Sequence, residues 1–236
     1  MHRGHSGMTT SLTFTIESGG KERRETIPIE QAVIAGWTGR DQAALEKHIK
    51  ELETLGVARP ATTPIFYRVA ASRFTHATRI EAAGEESSGE VEYALIQHKG
   101  TLYVGVGSDH TDRKVETYNV TVSKQMCEKP MAAALWPFDD VKAHWDKLIL
   151  RSWAVAHGTK VFYQEGPVAA MRPPHDLIER YAGSRALADG TVMFCGTLAA
   201  KGGIRPAPRF EFELEDPVRG LWLRHGYDIA VLPVLG

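Results

Sequence analysis

The chain has 236 residues, a formal net charge of -1 and only two cysteines, a length that suits one sizeable core. No basic run exceeds Lys21-Glu22-Arg23-Arg24, so the electrostatic footprint of a nucleic-acid binder is missing and small anions remain as ligands. Cys127 and Cys195 are too few for a disulfide framework and fit a reducing, cytoplasmic setting, no apolar stretch nears the roughly 20 residues that span a bilayer, and residues 1–7 lack the apolar centre of a secretory signal.

Met8 is a second candidate start. Residues 12–16 and 25–29 alternate in polarity about Gly19-Gly20 and predict an N-terminal hairpin, an appendage or sheet edge over residues 1–29 ahead of a main domain over 30–236. In residues 41–55, Leu45, Ile49 and Leu52 recur at helical spacing and Gly56 sits just past the end, which predicts a helix with His48 beside its apolar stripe. A proline-bounded loop over 58–64 precedes a short strand over 65–69 and has the punctuation of a lid. Residues 117–122 read as a strand. Val141, Trp145, Leu148 and Ser152 predict a helix over 139–153 with His144 and Asp146 on a solvated face. Residues 160–164 and 191–195 read as strands. Many short strands with few helices predict an α+β, β-rich fold, a mixed β-roll with peripheral helices. The apolar segments around Trp136 and Trp222 belong to the core or to an interface, and a homodimer is expected as the commonest closed assembly.

The densest chemistry lies in residues 90–109. Glu90 to Ile96 alternate, and alternate residues of a strand share a face, so Glu90 and Glu92 point the same way. If Lys99-Gly100 is a two-residue turn, the returning strand places Asp109 opposite Glu90. Like charges directly opposite destabilise a ladder. Three carboxylates converging on one point therefore predict a hard divalent cation at Glu90, Glu92 and Asp109, with Mg²⁺ or Mn²⁺ ahead of Ca²⁺ for all-oxygen ligation by so few carboxylates. Replacing one ligand relieves that repulsion, so such a substitution is expected to leave the fold intact. The chain has no G-x-S-x-G, no G-x-x-x-x-G-K-[ST] and no H-E-x-x-H, and Gly105-Val106-Gly107 lacks the rest of a dinucleotide fingerprint.

The run Ser88 to Ile96, SGEVEYALI, resembles the E-x-E-L metal strand of the fumarylacetoacetate hydrolase superfamily. Ser108-Asp109-His110-Thr111-Asp112-Arg113 resembles that family's N-D-x-S-x-R-D segment, whose first Asp is the third metal ligand, and Ser123-Lys124 stands where the family carries a substrate-contacting lysine. Residues 174–181 and 187–197, ending in Gly196-Thr197, look like its helix and L-x-P-G-D-x-I-x-T-G-T motif. The resemblance covers roughly residues 30 to 225, and the chain looks more narrowly like a member of the DUF2848 group.

Two departures accompany these matches. The family's lid segment G-x-N-Y-x-x-H-x-x-E is here Gly36 to Glu46, with Gln42 at the His position, and Gln cannot act as a general base. His48, Glu46 or Asp41 is left as its replacement. Lys114 follows Arg113 where the family has Asp, and Arg68 stands where an F-x-K-P segment has lysine.

The resemblance implies a metal-dependent hydrolase or lyase of a small 2-oxo acid. His48, Glu46 and Lys124 are its implied catalytic groups, and Arg68, Arg113, Gly196 and Thr197 its substrate contacts. A decarboxylase, isomerase or dehydratase, or a non-catalytic small-acid binder on the same roll, remains open.

Overall fold

The computed structural model describes residues 10–54 and 59–235; the side chains of His48, Glu51, Leu52 and Thr54 lie outside the described part. β1 (Thr10–Ser18) and β2 (Lys21–Ile29) form the expected hairpin about Gly19-Gly20, and β3 (Gln31–Gly36) leads to helix α1 (Gln42–Thr54). Asp41 caps α1 through Oδ1, which accepts from the Ala43 and Ala44 N–H groups at 2.9 and 3.0 Å. The strands β4 (Ile65–Val69), β5 (Phe74–Thr75), β6 (Arg79–Ala83) and β7 (Ser87–Ser88) precede the central hairpin of β8 (Val91–His98) and β9 (Thr101–Ser108). Short elements follow: β10 (Thr111–Asp112), α2 (Arg113–Glu116), α3 (Val120–Met126), β11 (Lys129–Pro130), β12 (Ala134–Pro137) and α4 (Phe138–Val141). The chain continues through β13 (Ile149–Ala156), β14 (Thr159–Pro167), α5 (Pro174–Ala182), β15 (Thr191–Phe194), β16 (Arg209–Asp216) and β17 (Leu221–Leu232).

Two sheets carry the fold, an eight-stranded one in the order β2-β1-β12-β9-β8-β15-β3-β4 and a five-stranded one in the order β14-β13-β16-β17-β6. Val91, Tyr93 and Leu95 of β8 face the second sheet and pack with Leu150, Phe210, Phe212, Leu223 and Tyr227. Ala94 and Ile96 point the other way, into a second core with Ile27 of β2 and Val69 of β4. Those two strands end the sheet order, so the sheet curls around this core. β8 is thereby buried on both faces, and Glu92 shares the face of Ala94 and Ile96. The N-terminal hairpin is an edge of this sheet, because β1 also pairs in parallel with β12 and Phe14, Ile16, Ile27 and Ile29 fill the second core.

Two sequence expectations are overturned. Residues 117–122 are not a strand: the Asn119 side chain accepts from Val122 N–H at 3.0 Å and starts α3, so an end cap overrides the β-branched run Val120-Thr121-Val122. Residues 139–153 are not one helix. α4 and a 3-10 turn over Lys142–Lys147, broken at His144 with φ −131°, give way to β13, where Leu150, Ser152 and Ala154 alternate inward. Val141, Trp145 and Leu148 are buried as their spacing implied, but a short irregular segment suffices to bury them. His144 is not on a solvated face either: its Nε2 lies 2.8 Å from Asp216 Oδ2, whereas Asp146 is exposed and ion-paired to Arg40.

Trp136 belongs to the core and donates from Nε1 to Glu17 at 3.1 Å, while Trp222 is exposed with the Arg224 guanidinium 4.9 Å above its ring. No helix among the described residues is long and apolar enough to cross a membrane.

Because Asn119 caps the helix that carries Lys124, Asn119→Ala is expected to cost about 1 kcal/mol, read as a lower urea midpoint at unchanged slope. A midpoint identical to that of the parent would remove the cap from the account.

Candidate metal and substrate site

The site begins with a turn. Lys99 and Gly100 both have positive φ, 49° and 73°, the geometry of a two-residue hairpin loop that matches the twist of its strands. The resulting register sets Val91 opposite Ser108, and one step further Asp109 N–H donates to Glu90 C=O at 2.9 Å. Glu90, Glu92 and Asp109 thus meet, with one carboxylate oxygen from each within 4.8 Å of the others. Glu92 is 2% exposed and Asp109 0%, while the Glu90 side chain is 17% exposed. The cluster therefore opens toward Glu90.

Three cations of the chain surround it unevenly. Lys124, on α3, contacts Asp109 Oδ2 and lies 3.9 Å from Glu90 Oε2. Lys129, on β11, lies 3.0 Å from Asp109 Oδ1 and donates to His110 C=O at 2.5 Å. Arg113, opening α2, reaches Glu90 at 3.2 Å and donates from Nε to Ser88 Oγ at 2.7 Å.

Burial alone would raise the Asp109 carboxyl, but Lys124 and Lys129 outweigh it and hold it well below the usual carboxylate range. Burial likewise works against the Lys124 ammonium, and Asp109, Glu90 and Glu92 overcome it, so this lysine is held charged. Lys129 differs, because burial outweighs Asp109 and draws its ammonium below the ordinary lysine range. Next to Asp109, burial followed by Lys129 and Arg113 pushes His110 down to about 3, which leaves a neutral imidazole.

Glu92 is the exception. Among the described residues it has no cation partner; its Oε2 accepts only the Gly196 N–H, at 2.6 Å. Burial first, then the Asp109 and Glu90 charges, push its carboxyl well above the usual range. Asp109 Oδ1, by contrast, is buried beside the Lys129 ammonium at 3.0 Å. Three convergent carboxylates, one of them buried without an ion pair among the described residues, fit a hard divalent cation ligated by oxygen.

The residues expected to bind substrate divide. Arg113, Lys124 and Gly196 surround the triad, with Gly196 at φ 98° presenting its N–H to Glu92. The Thr197 hydroxyl is turned away to structural work: it donates to Val91 C=O at 2.8 Å and accepts from Gln164 Nε2 at 2.7 Å. Arg68 points elsewhere, donating to Tyr181 OH on α5 at 3.2 Å. Its neighbour Tyr67 is the residue on the site's side of β4, with its ring 5.8 Å from Lys124 Nζ. Strand alternation puts the two on opposite faces, and only the packing of β4 decides which of them meets the site.

On α1, Glu46 is bound by Arg59 at 2.5 and 3.2 Å, and those bonds hold its carboxylate below the usual range. Asp41 is the cap of α1. Gln42 donates to Gly39 C=O at 2.8 Å and accepts from Arg172 at 2.6 Å. His48 lies on α1, and its side chain is among those outside the described residues. Lys129, Gln164 and Tyr227 carry no sequence signal for their roles, and the partners of Gln164 and Tyr227 are set by packing between distant strands. The Cys195 thiol is buried, bonded to Met193 C=O at 3.4 Å and pushed up by burial, which makes it a packing group.

This architecture is that of the fumarylacetoacetate hydrolase fold. A fumarylacetoacetate hydrolase from the psychrophilic Exiguobacterium antarcticum superposes with a TM-score of 0.58 at 15% identity, over 94% of this chain and 100% of that one. A 5-carboxymethyl-2-hydroxymuconate delta-isomerase from Mycobacterium smegmatis gives 0.60 at 14% identity over 96% and 95%. A 2-keto-3-deoxy-D-arabinonate dehydratase complexed with magnesium and 2,5-dioxopentanoate gives 0.59 at 16% identity over 86% and 74%. Residues 35–227 match the family described as "Protein of unknown function (DUF2848)", and the chain belongs to that family.

Proposed function

We propose that this chain is a metal-dependent enzyme of small 2-oxo acids, with Glu90, Glu92 and Asp109 holding Mg²⁺ or Mn²⁺. The observation that carries the reading is Glu92, a buried carboxylate without a cation partner among the described residues, facing two more carboxylates. A divalent ion in that place supplies Lewis-acid stabilisation of negative charge on two adjacent substrate oxygens. Arg113 and Lys124 bring positive charge to the open, Glu90 side, where a substrate carboxylate binds by charge-assisted hydrogen bonds. Lys124 is the charged donor closest to the triad and, held charged, is suited to stabilise negative charge on a substrate oxygen beside it. Gly196 orients Glu92, and Tyr67 covers Lys124 from β4.

Enolate chemistry that needs no lid-activated water, namely decarboxylation, isomerisation or dehydration, is the favoured reaction class. Gln42 is bonded at both ends, the Asp41 carboxylate is engaged in capping α1, and Arg59 holds the Glu46 carboxylate below the usual range, so none of the three is free to act as a lid base. Hydrolysis of a C–C bond in a β-dicarbonyl acid is the second reading, favoured by the likeness over the full length of a fumarylacetoacetate hydrolase. It requires His48 as the base.

The test is metal analysis followed by product assays on oxaloacetate and on an acylpyruvate. His48→Ala with full turnover supports the first reading. A loss of roughly 10²-fold or more at unchanged substrate binding supports hydrolysis. Absence of Mg²⁺ or Mn²⁺ binding by calorimetry removes both. We further propose a homodimer, and a monomer in light scattering at micromolar concentration removes that part alone.

A further inference from the structure

The triad sits on the eight-stranded sheet, yet its backbone is gripped from the other one. Val91 lies between Glu90 and Glu92, so its two peptide groups set how those side chains project. Its N–H donates to Gln164 Oε1 at 3.0 Å and its C=O accepts the Thr197 hydroxyl at 2.8 Å. Gln164, on β14, is 1% exposed, and each of its polar atoms has two partners: Oε1 also accepts from Ser152 Oγ at 2.9 Å, and Nε2 donates to Thr197 Oγ1 at 2.7 Å and Leu198 C=O at 2.6 Å.

A second grip holds the opposite strand. Tyr227, on β17 and 0% exposed, places its hydroxyl 2.8 Å from Ser108 Oγ and 2.9 Å from His110 Nδ1, the residues on either side of Asp109. Ser108 Oγ accepts from Glu90 N–H at 3.2 Å, and His110 Nε2 lies 2.9 Å from Ser87 Oγ. One assignment satisfies every group: Glu90 N–H to Ser108, Ser108 O–H to Tyr227, Tyr227 O–H to His110 Nδ1, and Nε2–H to Ser87.

We propose that the five-stranded sheet fixes the spacing of the carboxylate triad, with Gln164 the positioning residue for Glu90 and Glu92 and Tyr227 the positioning residue for Asp109. The inference rests on the metal reading above. Its physical basis is that ligands tolerate displacements of only about 0.5 Å, and fully satisfied buried hydrogen bonds resist such shifts. A coordinating strand held on one face alone twists and slides; one tied to a second sheet cannot do so without breaking buried bonds.

Titration calorimetry with Mn²⁺ tests this on Tyr227→Phe, which removes a single oxygen, and on Gln164→Met, which keeps chain length. Each is expected to weaken Mn²⁺ binding 10- to 100-fold. Phe212→Leu, in the core of the same sheet, is expected to lower the melting temperature and leave Mn²⁺ affinity unchanged. Thr197→Ser is expected to keep parental affinity where Thr197→Val loses it. Parental affinity in both Tyr227→Phe and Gln164→Met overturns the inference, as does equal weakening in Phe212→Leu.

If the parent protein takes up no Mn²⁺, the metal reading fails by itself. Amide hydrogen exchange of the Val91 segment then decides the grip without any metal: faster exchange in Gln164→Met upholds it and parental exchange overturns it. The same exchange measurement decides the case should either variant prove too unstable for calorimetry.

Discussion

Asp109→Asn and Glu92→Gln are both expected to abolish Mn²⁺ uptake while moving the stability of the metal-free protein in opposite directions. Asp109 is the shared counter-charge of two buried lysines, contacting Lys124 and lying 3.0 Å from Lys129. Removing its charge leaves both ammonium groups in a dry interior, a change of the kind that costs about 3–5 kcal/mol. Glu92 forms no ion pair among the described residues and acts on Lys124 only from a distance, beside Asp109 and Glu90. Its amide analogue keeps an oxygen to accept the Gly196 N–H, bonded at 2.6 Å, and loses the repulsion from Asp109 and Glu90. The sequence alone suggested that removing any ligand relieves repulsion and spares the fold; the two lysines reverse that expectation for Asp109. Calorimetry with Mn²⁺ and thermal melts in a chelator check both halves. Equal melting losses for the two variants would contradict this electrostatic assignment, and retained Mn²⁺ affinity in either would contradict the ligand assignment.

Gly196→Ala is expected to be the most damaging small substitution in the site. Gly196 has φ 98°, outside the range that side-chain-bearing residues adopt at low cost, and an added Cβ would be driven into Thr38 Oγ1 with Thr38 Cβ only 3.0 Å away. Backbone strain costs about 1–3 kcal/mol and overpacking a further 1–3, so a loss of about 2–6 kcal/mol is expected. Against a typical total of about 5–15 kcal/mol, that is a large fraction of the stability. The Gly196 N–H is also displaced from Glu92, so the proposed metal ligand loses its only hydrogen bond among the described residues. Urea denaturation reads the loss. Thr38→Ala combined with Gly196→Ala is expected to recover the overpacking part and not the backbone part, because it removes Oγ1 and leaves φ unchanged. A single variant within about 1 kcal/mol of the parent, or a pair with no recovery, would remove the Thr38 contact from the account.

The hairpin that carries the triad is short-range geometry, and it is readable for that reason. A period of two puts Glu90 and Glu92 on one face, and the Lys99-Gly100 turn determines which residue returns opposite Glu90. Helix α1 and the strands at 65–69 and 191–194 follow from equally local patterns. Local pattern fails where two local signals compete. Val120-Thr121-Val122 is strand-like, yet the Asn119 cap makes it helix; the spacing of Val141, Trp145 and Leu148 is helical, yet their burial is met by a 3-10 turn.

The chain by itself therefore determined the carboxylate convergence, because its members lie on two strands joined by one turn. What neutralises and positions that convergence was decided by tertiary structure: Lys129 behind Asp109, Tyr67 rather than Arg68 beside Lys124, and Gln164 and Tyr227 reaching in from the second sheet. The physical reason is separation along the chain. Gln164 lies 73 residues from Val91 and Tyr227 lies 119 from Ser108, so neither strand alternation nor helical period links them, and only the packing of one sheet on another brings each buried donor to its acceptor.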